Sequence, residues 1–183
     1  KVRFFGQFGA APSPAEYKAM VEQGYANGVP MGGTLKPAAT GAPSFTVWAS
    51  KGANIVDGNL DRIQIIKSWV DAKGEPQDKV FDVVWSGERK PDATGKLPPV
   101  GNTVDLKTAT FSNDIGSAEL KGSWTDPTFD PAQAAVYYAR VLQIPTPRWS
   151  TYDAVRSGLP LLEGVAATVQ ERAWTSPIWY TPK

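Results

Sequence analysis

Residues 60–86 constrain the fold of this chain more than any other segment. Apolar side chains alternate along its first half, so Ile63 and Ile65 fall on one face of a strand and Ile66 on the other. Turn-forming residues follow at 71–76, and a second apolar run then returns along the first. This pattern predicts a long hairpin with both faces partly covered, as in the central strand pair of a sandwich.

The rest of the chain is also typical of a β-rich protein. Seven Trp, six Tyr and seven Phe residues lie mainly in short runs that Gly, Pro, Asn and Asp interrupt. Further strands are predicted at residues 2–5, 44–49, 118–124 and 135–144. We therefore expect residues 1–183 to form a single all-β domain, an immunoglobulin- or fibronectin-like β-sandwich with one short helix and long loops.

The short helix is predicted from a capping box at Ser13–Glu16, with Pro14 at the first helical position. Its narrow apolar stripe consists of Tyr17, Met20, Val21 and Gly24. Either Gly24 or Gly28 can end the helix. A helix this short is marginal in isolation, so we expect it to pack on the body of the domain.

Residues 145–183 are predicted to form an extended, aromatic-rich tail. Pro145 and Pro147 fix the backbone at its start, and a short helix fits near residues 152–156. The run Trp174–Tyr180 contains two Trp, an Ile and a Tyr, which are side chains that favour burial. We therefore expect the tail to pack on the body of the domain or on a partner.

The composition excludes several kinds of catalytic site. The chain has no histidine and no cysteine, which removes Ser-His-Asp triads, histidine zinc sites, thiol nucleophiles and disulfides. A carboxylate-only calcium or magnesium site remains open. We predict no cofactor, and we do not expect this chain to be an enzyme by itself.

Charge and hydropathy limit the partners. The net charge is +1 and the charges are interspersed, so nucleic acid is not predicted as a partner. No apolar run is long enough to predict a membrane span. The chain starts at Lys1 on a strand-like run, which suggests an internal or processed start.

Long and unusual motifs lie along the whole chain, at residues 2–6, 28–33, 60–65, 97–105, 137–149, 151–154 and 170–180. In this order they resemble the bacterial domain-of-unknown-function 3604 family. The resemblance implies a C-terminal β-domain of a longer exported protein, periplasmic or secreted, that follows a hydrolase barrel of the polymerase-and-histidinol-phosphatase (PHP) type. That barrel would bind metals through its own histidines and aspartates, so none of its catalytic residues can be assigned to this chain.

Three groups of residues are candidates for docking or ligand contact. Arg140 lies on a strand predicted to be central, where it reaches an anionic ligand, forms an ion pair with Asp61 or Asp126, or extends from a sheet edge to water. Arg148 and Trp149 follow the rigid proline loop and are residue types enriched at interface hot spots, or the loop is a structural crossing in which Arg148 stacks on Trp149. The last group, Met31, Gly32 and Gly33, either permits close backbone approach or forms a tight turn.

Two further patterns have mainly structural interpretations. Asp126 and Asp130, with Thr128 between them, could bind calcium through oxygen atoms, but their spacing is more typical of a turn. Glu171 and Arg172 are more typical of a surface pair than of a site.

Three functions follow from these observations. The first is a non-catalytic accessory domain that docks on the missing N-terminal catalytic barrel and shapes it. The second is a module that binds a carbohydrate or another ligand through surface Trp side chains. The third is a structural subunit of a larger assembly that binds its partner subunit through residues 145–183.

Overall fold

The computed structural model describes residues 1–11, 14–38, 40–54 and 56–182 of a mostly β chain. The strands are β1 (Val2–Phe8), β2 (Val29–Pro30), β3 (Thr34–Leu35), β4 (Pro43–Ser50), β5 (Leu60–Val70), β6 (Pro76–Trp85), β7 (Glu119–Thr125), β8 (Ala135–Gln143), β9 (Thr146–Pro147), β10 (Thr168–Val169), β11 (Arg172–Trp174) and β12 (Ile178–Tyr180). The helices are α1 (Tyr17–Asn27) and α2 (Trp149–Ser157).

Two sheets share one apolar core. The four-stranded sheet has the order β2-β1-β4-β7, and the main sheet has the order β3-β12-β8-β5-β6, with β11 also paired to β8. Buried side chains from both sheets form one cluster that includes Phe4, Phe45, Val47, Ile63, Ile65, Tyr137, Ala139 and Ile178. These strand orders establish a mostly β protein with packed sheets, and the immunoglobulin or fibronectin topology stays a prediction.

The long hairpin at the centre of the main sheet is confirmed. Strands β5 and β6 are antiparallel, with a register shift between Ile63 and Gln64. On its other edge β5 pairs with β8, and β12 pairs with the far edge of β8, so β8 lies inside the sheet as predicted. Alternation along β5 buries Ile63 and Ile65 in the common core and directs Gln64 to the outer face.

Helix α1 forms, but its start differs from the prediction. The predicted N-cap Ser13 lies outside the described residues, and Pro14 precedes the helix, which begins at Tyr17. Glu16 is the N-cap and makes no side-chain capping hydrogen bond. The helix therefore begins where its apolar stripe meets the four-stranded sheet, because packing rather than capping stabilises this end.

Packing also explains the two glycines of α1. The helix ends at Gly28, whose N–H donates to the carbonyl of Gly24. Gly24 lies inside the helix under Phe5, where an added Cβ would stand 2.5 Å from the Phe5 Cγ. Gly28 is thus the end signal, and Gly24 permits the close approach of helix and sheet.

Residues 145–182 contain more regular structure than the sequence predicted. Strands β11 and β12 pair with β8, and β12 also pairs with β3 in parallel. The fold has two helices rather than one, because the short helix that fitted near residues 152–156 forms as α2, which ends at the left-handed Gly158. Burial was predicted correctly for Ile178 but wrongly for Trp174 and Trp179, which alternation directs outward.

Candidate functional site

One candidate site lies on the outer face of the main sheet. Along β8 the core-facing side chains are buried, and the alternate ones point away from the core; these are Val136, Tyr138, Arg140 and Leu142. Trp174 of β11 pairs with Arg140, and Trp179 of β12 pairs with Val136. Both tryptophans therefore belong to this outer face, where Trp174 is 58% exposed and Trp179 is 48% exposed.

A row of side chains crosses four strands of this face. Backbone pairing aligns Trp174, Arg140, Gln64 and Asp82 in that order. The Nε of Arg140 donates a 2.8 Å hydrogen bond to Gln64 Oε1, and Gln64 Nε2 donates a 2.8 Å bond to Asp82 Oδ1. The Gln64 amide is thus used at both ends, which fixes the position of the arginine beside the tryptophan.

The guanidinium of Arg140 keeps most of its hydrogen-bonding capacity. Within the described residues, no carboxylate lies within salt-bridge distance of it. The two predicted partners bind other cations: Asp61 pairs with Arg62 and Arg89, and Asp126 pairs with Lys67. The ion-pair interpretation of Arg140 was therefore wrong, because the register of β5 places Gln64 opposite it.

A buried ionic cluster supports one end of the row. Asp61 is buried and accepts hydrogen bonds from Arg62 at 3.1 Å, Arg89 at 2.7 Å and Gln170 at 3.0 Å. Arg62 also donates to Asp82 at 3.3 Å. Arginines thus neutralise the carboxylates of Asp61 and Asp82. The hydrogen bonds of Asp61 also join β5 to the loop between β6 and β7 and to the tail.

Cavities adjoin the outer face on two sides. One, of about 420 Å³, is lined by Gln64 and Asp82 of the row and by Arg62 of the ionic cluster. Another of about 670 Å³ lies at the end of the hairpin and is bordered by Trp179 and Val136. The cavity beside Trp179 therefore leaves room for a ligand next to an aromatic side chain of this face.

A second candidate site is the α2 surface, which we define as Trp149, Tyr152 and Arg156 of α2 with the loop 159–165. Trp149 is 68% exposed, and Leu159, Leu161, Leu162 and Val165 of the loop are also exposed. Arg156 lies over the Tyr152 ring at 5.5 Å. A cavity of about 510 Å³ beside Trp149 is also lined by Asp57, Asp153 and Glu171.

Arg148 has a structural position at the base of the α2 surface. Its carbonyl accepts hydrogen bonds from Thr151 and Tyr152 in the first turn of α2, and its N–H donates to Ala167. Its Nε is buried and has no hydrogen-bond partner among the described residues. The two residues that were predicted to act together thus differ in exposure: Arg148 is half-buried at the helix start, and Trp149 is exposed.

The predicted turn at Met31, Gly32 and Gly33 is hydrogen-bonded to the segment that contains β12. Gly32 adopts a φ of 91° and donates to the Pro177 carbonyl at 2.8 Å. The Gly33 carbonyl accepts from Trp179 at 3.0 Å, and an added Cβ at Gly33 would stand 2.5 Å from Val29. Met31 packs on the core. These residues form a tight turn that binds the strand carrying Trp179.

Asp126 belongs to a buried polar cluster in the core. Lys67 Nζ lies 2.7 Å from Asp126 Oδ2, and the Tyr137 hydroxyl donates to the same oxygen at 2.7 Å. Thr128 donates to Oδ1 from its backbone and its hydroxyl, as in an Asx turn. Burial raises the pKa of Asp126, but the hydrogen bonds of Lys67, Tyr137 and Thr128 outweigh it and hold that pKa below its usual value.

The calcium interpretation of Asp126 and Asp130 has no structural support. Asp130 instead accepts a hydrogen bond from the backbone N–H of Ala132. The described part of the chain contains no cluster of three or more acidic side chains that could hold a metal ion. Both aspartates thus stabilise the connection between β7 and β8.

Sequence reasoning missed Trp174, Arg172, Gln64 and Asp82 as site residues. Arg172 and Trp174 are two residues apart on β11, so they share a face, and both are exposed. This spacing was a usable signal, but the alignment with Arg140 depends on strand pairing. Neither helix of the described chain is long and apolar enough to span a membrane.

Fold and surfaces together define a mostly β protein with two separate exposed aromatic surfaces. The chain belongs to the family described as "Protein of unknown function (DUF3604)", whose model matches residues 1–182. No curated protein and no solved structure matches it.

Proposed function

We propose that this chain is a non-catalytic accessory domain with an immunoglobulin- or fibronectin-like sandwich body. It docks through the α2 surface on a PHP-type hydrolase barrel that precedes it in a longer bacterial protein. The resemblance described above suggests this partner and an exported, periplasmic or secreted location. The contact would shape the mouth of the catalytic barrel.

The exposure of the α2 surface is the observation that carries this proposal. Trp149 at the start of α2 is exposed, and so are four aliphatic side chains of the loop that follows the helix, Leu159, Leu161, Leu162 and Val165. Soluble domains rarely expose several large apolar side chains on neighbouring segments without a binding role, because their hydration is unfavourable. Tryptophan and arginine are common at the centres of protein interfaces, and Arg156 adds a cation to this patch.

The intact mass of the natural gene product is the first test. A mass that includes a histidine-bearing region before Lys1 is expected, and a product consisting of residues 1–183 alone would refute the proposal. Appreciable metal-dependent hydrolysis by residues 1–183 alone would also contradict the non-catalytic role.

The second test measures docking. In the intact gene product, Trp149→Ala combined with Leu162→Asp should expose the linker between the two parts to limited proteolysis. Tyr25→Ala is the matched control, because Tyr25 is an exposed aromatic residue on α1. Equal proteolysis of wild type and double variant would exclude docking through this surface.

A second candidate function is ligand binding by surface tryptophans. The outer face of the main sheet favours it, because Trp174 and Trp179 project from strands that are hydrogen-bonded to β8. Such a platform is rigid before a ligand arrives, which lowers the entropic cost of binding. In a third role, as a structural subunit, the chain would bind its partner subunit through the α2 surface. A native mass larger than that of one gene product would distinguish this role from the other two.

A further inference from the structure

We propose that the outer face of the main sheet binds an oligosaccharide that carries carboxylate groups. Trp174 and Trp179 would pack against its sugar rings, and Arg140 and Arg172 would bind its carboxylates. This inference rests on the second function proposed above, ligand binding by surface tryptophans, and is independent of docking through the α2 surface.

The two tryptophans are spaced for an extended ligand. They pair with Arg140 and Val136, which are four positions apart on the same face of β8. At the rise of a strand, this places them about 13 Å apart along the sheet. Tyr138 lies between these positions and is half-buried. A chain of linked sugar rings can contact both indoles, because the C–H faces of sugars pack on aromatic faces.

The arginines supply the anion specificity. Gln64 holds Arg140 by its Nε, and within the described part of the chain neither Nη group has a hydrogen-bond partner, so both can meet a ligand carboxylate. A guanidinium and a carboxylate can form two parallel hydrogen bonds, a geometry that a neutral hydroxyl does not reproduce. Arg172 is exposed on the same face of β11 as Trp174, so a second cation flanks the same indole.

Nearby carboxylates do not cancel this charge. Asp82 and Asp61 are both bound to Arg62, and Asp61 is also bound to Arg89. Counting these four groups gives two positive and two negative charges, so the cluster is neutral. Among the described residues, no carboxylate lies within salt-bridge distance of Arg140 or Arg172, so both keep a positive charge that favours an acidic ligand over a neutral one.

Calorimetric titration of the 183-residue chain tests this inference. The probes are oligogalacturonate, oligoglucuronate and oligomannuronate, with a neutral cello-oligosaccharide of equal length as the reference ligand. We expect at least one uronate to bind about tenfold more tightly than the neutral sugar, and its affinity to fall as salt increases.

Two substitutions locate the binding site. Trp174→Ala and Arg140→Gln should each weaken uronate binding about tenfold, which is typical of a central contact. Arg140→Lys should weaken it less, because the charge remains while the paired hydrogen bonds are lost. The matched control is Arg3→Gln, since Arg3 is a half-buried arginine on the outer face of the other sheet.

Several results would overturn the inference. They are no binding of any uronate, equal affinity for the neutral sugar, or unchanged affinity in Trp174→Ala and Arg140→Gln variants that melt like wild type. Equal or tighter binding of a single-stranded oligonucleotide would show that the face selects phosphate rather than acidic sugars. The docking proposal survives each of these outcomes, because its tests use the α2 surface.

Discussion

The outer faces of the two sheets carry similar residues in opposite environments. On the four-stranded sheet, a row aligns Arg3, Trp48 and Lys121; on the main sheet, a row aligns Trp174 and Arg140. Trp48 is only 5% exposed, whereas Trp174 is 58% exposed. The two sheets thus use a tryptophan beside basic side chains in different ways.

Helix α1 accounts for this difference. The Tyr17 ring packs edge-on against Trp48 at 5.6 Å, and the Lys121 ammonium lies 4.2 Å from the centre of the same indole. Lys121 also donates to the Ala15 carbonyl just before the helix. A tryptophan that the chain covers itself stabilises the fold, whereas one left open beside an uncompensated arginine is available for binding.

Both faces rest on the core that contains the Lys67–Asp126 pair, so breaking this pair should have the largest effect. Lys67→Met leaves the carboxylate of Asp126 buried without its cation, and should lower the free energy of unfolding by about 3–5 kcal/mol. Chemical denaturation measures this loss. A Lys67→Met/Asp126→Leu double variant should recover part of it, and a single variant as stable as wild type would contradict the structural role.

The same pair should make stability depend on pH. The folded pKa of Asp126 lies below its usual value, so this group contributes stability that is full above about pH 4. That contribution is lost as the pH falls through the lower folded pKa. Denaturant midpoints of wild type should therefore drop over this acid range more steeply than those of Asp126→Asn. Parallel curves would show that other carboxylates dominate.

The comparison of the two faces is tested directly by Trp48→Ala. Removing this buried indole exposes Phe5 and Met20 of the cluster beneath α1, and should cost about 3 kcal/mol of unfolding free energy. Trp48→Phe is the milder control. It keeps an aromatic ring and removes an Nε1 that is buried without a partner among the described residues. A loss below about 1 kcal/mol for Trp48→Ala would show that α1 does not need this contact.

A smaller effect is expected from Gly24→Ala, which pushes α1 away from the sheet. The new methyl group would overlap Phe5, which is buried and cannot move freely, so we expect a loss of about 1–2 kcal/mol. Thermal melting measures it. Ala26→Gly, at an exposed position of the same helix, separates this overlap from helix propensity. A stabilised Gly24→Ala variant would mean that propensity outweighs packing here.

The smallest stability effect should come from Trp174→Ala on the open face. Because this indole is largely in water, its removal should change the unfolding free energy by no more than about 0.5 kcal/mol. The melting temperature of this variant should match wild type even where its ligand affinity falls. A large loss would show that Trp174 stabilises the fold, and the contrast with Trp48 would fail.

The elements that alternation and local signals define were predictable. The β5–β6 hairpin, the central position of β8 and the apolar stripe of α1 follow from nearby residues alone, because side-chain direction repeats with a fixed period. The start of α1 was not predictable, since the helix begins at Tyr17, whose ring packs on Trp48, and Glu16 makes no side-chain capping hydrogen bond. The second helix was only partly anticipated, near residues 152–156.

The candidate sites were less accessible from sequence. Arg140 and Trp149 could be selected by residue type, but the other members of the row of Arg140 could not, because they come from three other strands. The tryptophans of the tail were expected to be buried, since hydrophobicity alone gives no indication of which sheet face a strand presents to water.

The sequence by itself determined the β-rich class, the absence of histidine and cysteine chemistry, and the direction of side chains along each strand. These properties depend on composition and on contacts between near neighbours. Only the tertiary structure decided that Trp48 is covered and Trp174 is open, and that Arg140 stands between Trp174 and Gln64. Strand register and the placement of α1 set those contacts, and both arise from residues far apart in the chain that meet only when the sheets pack.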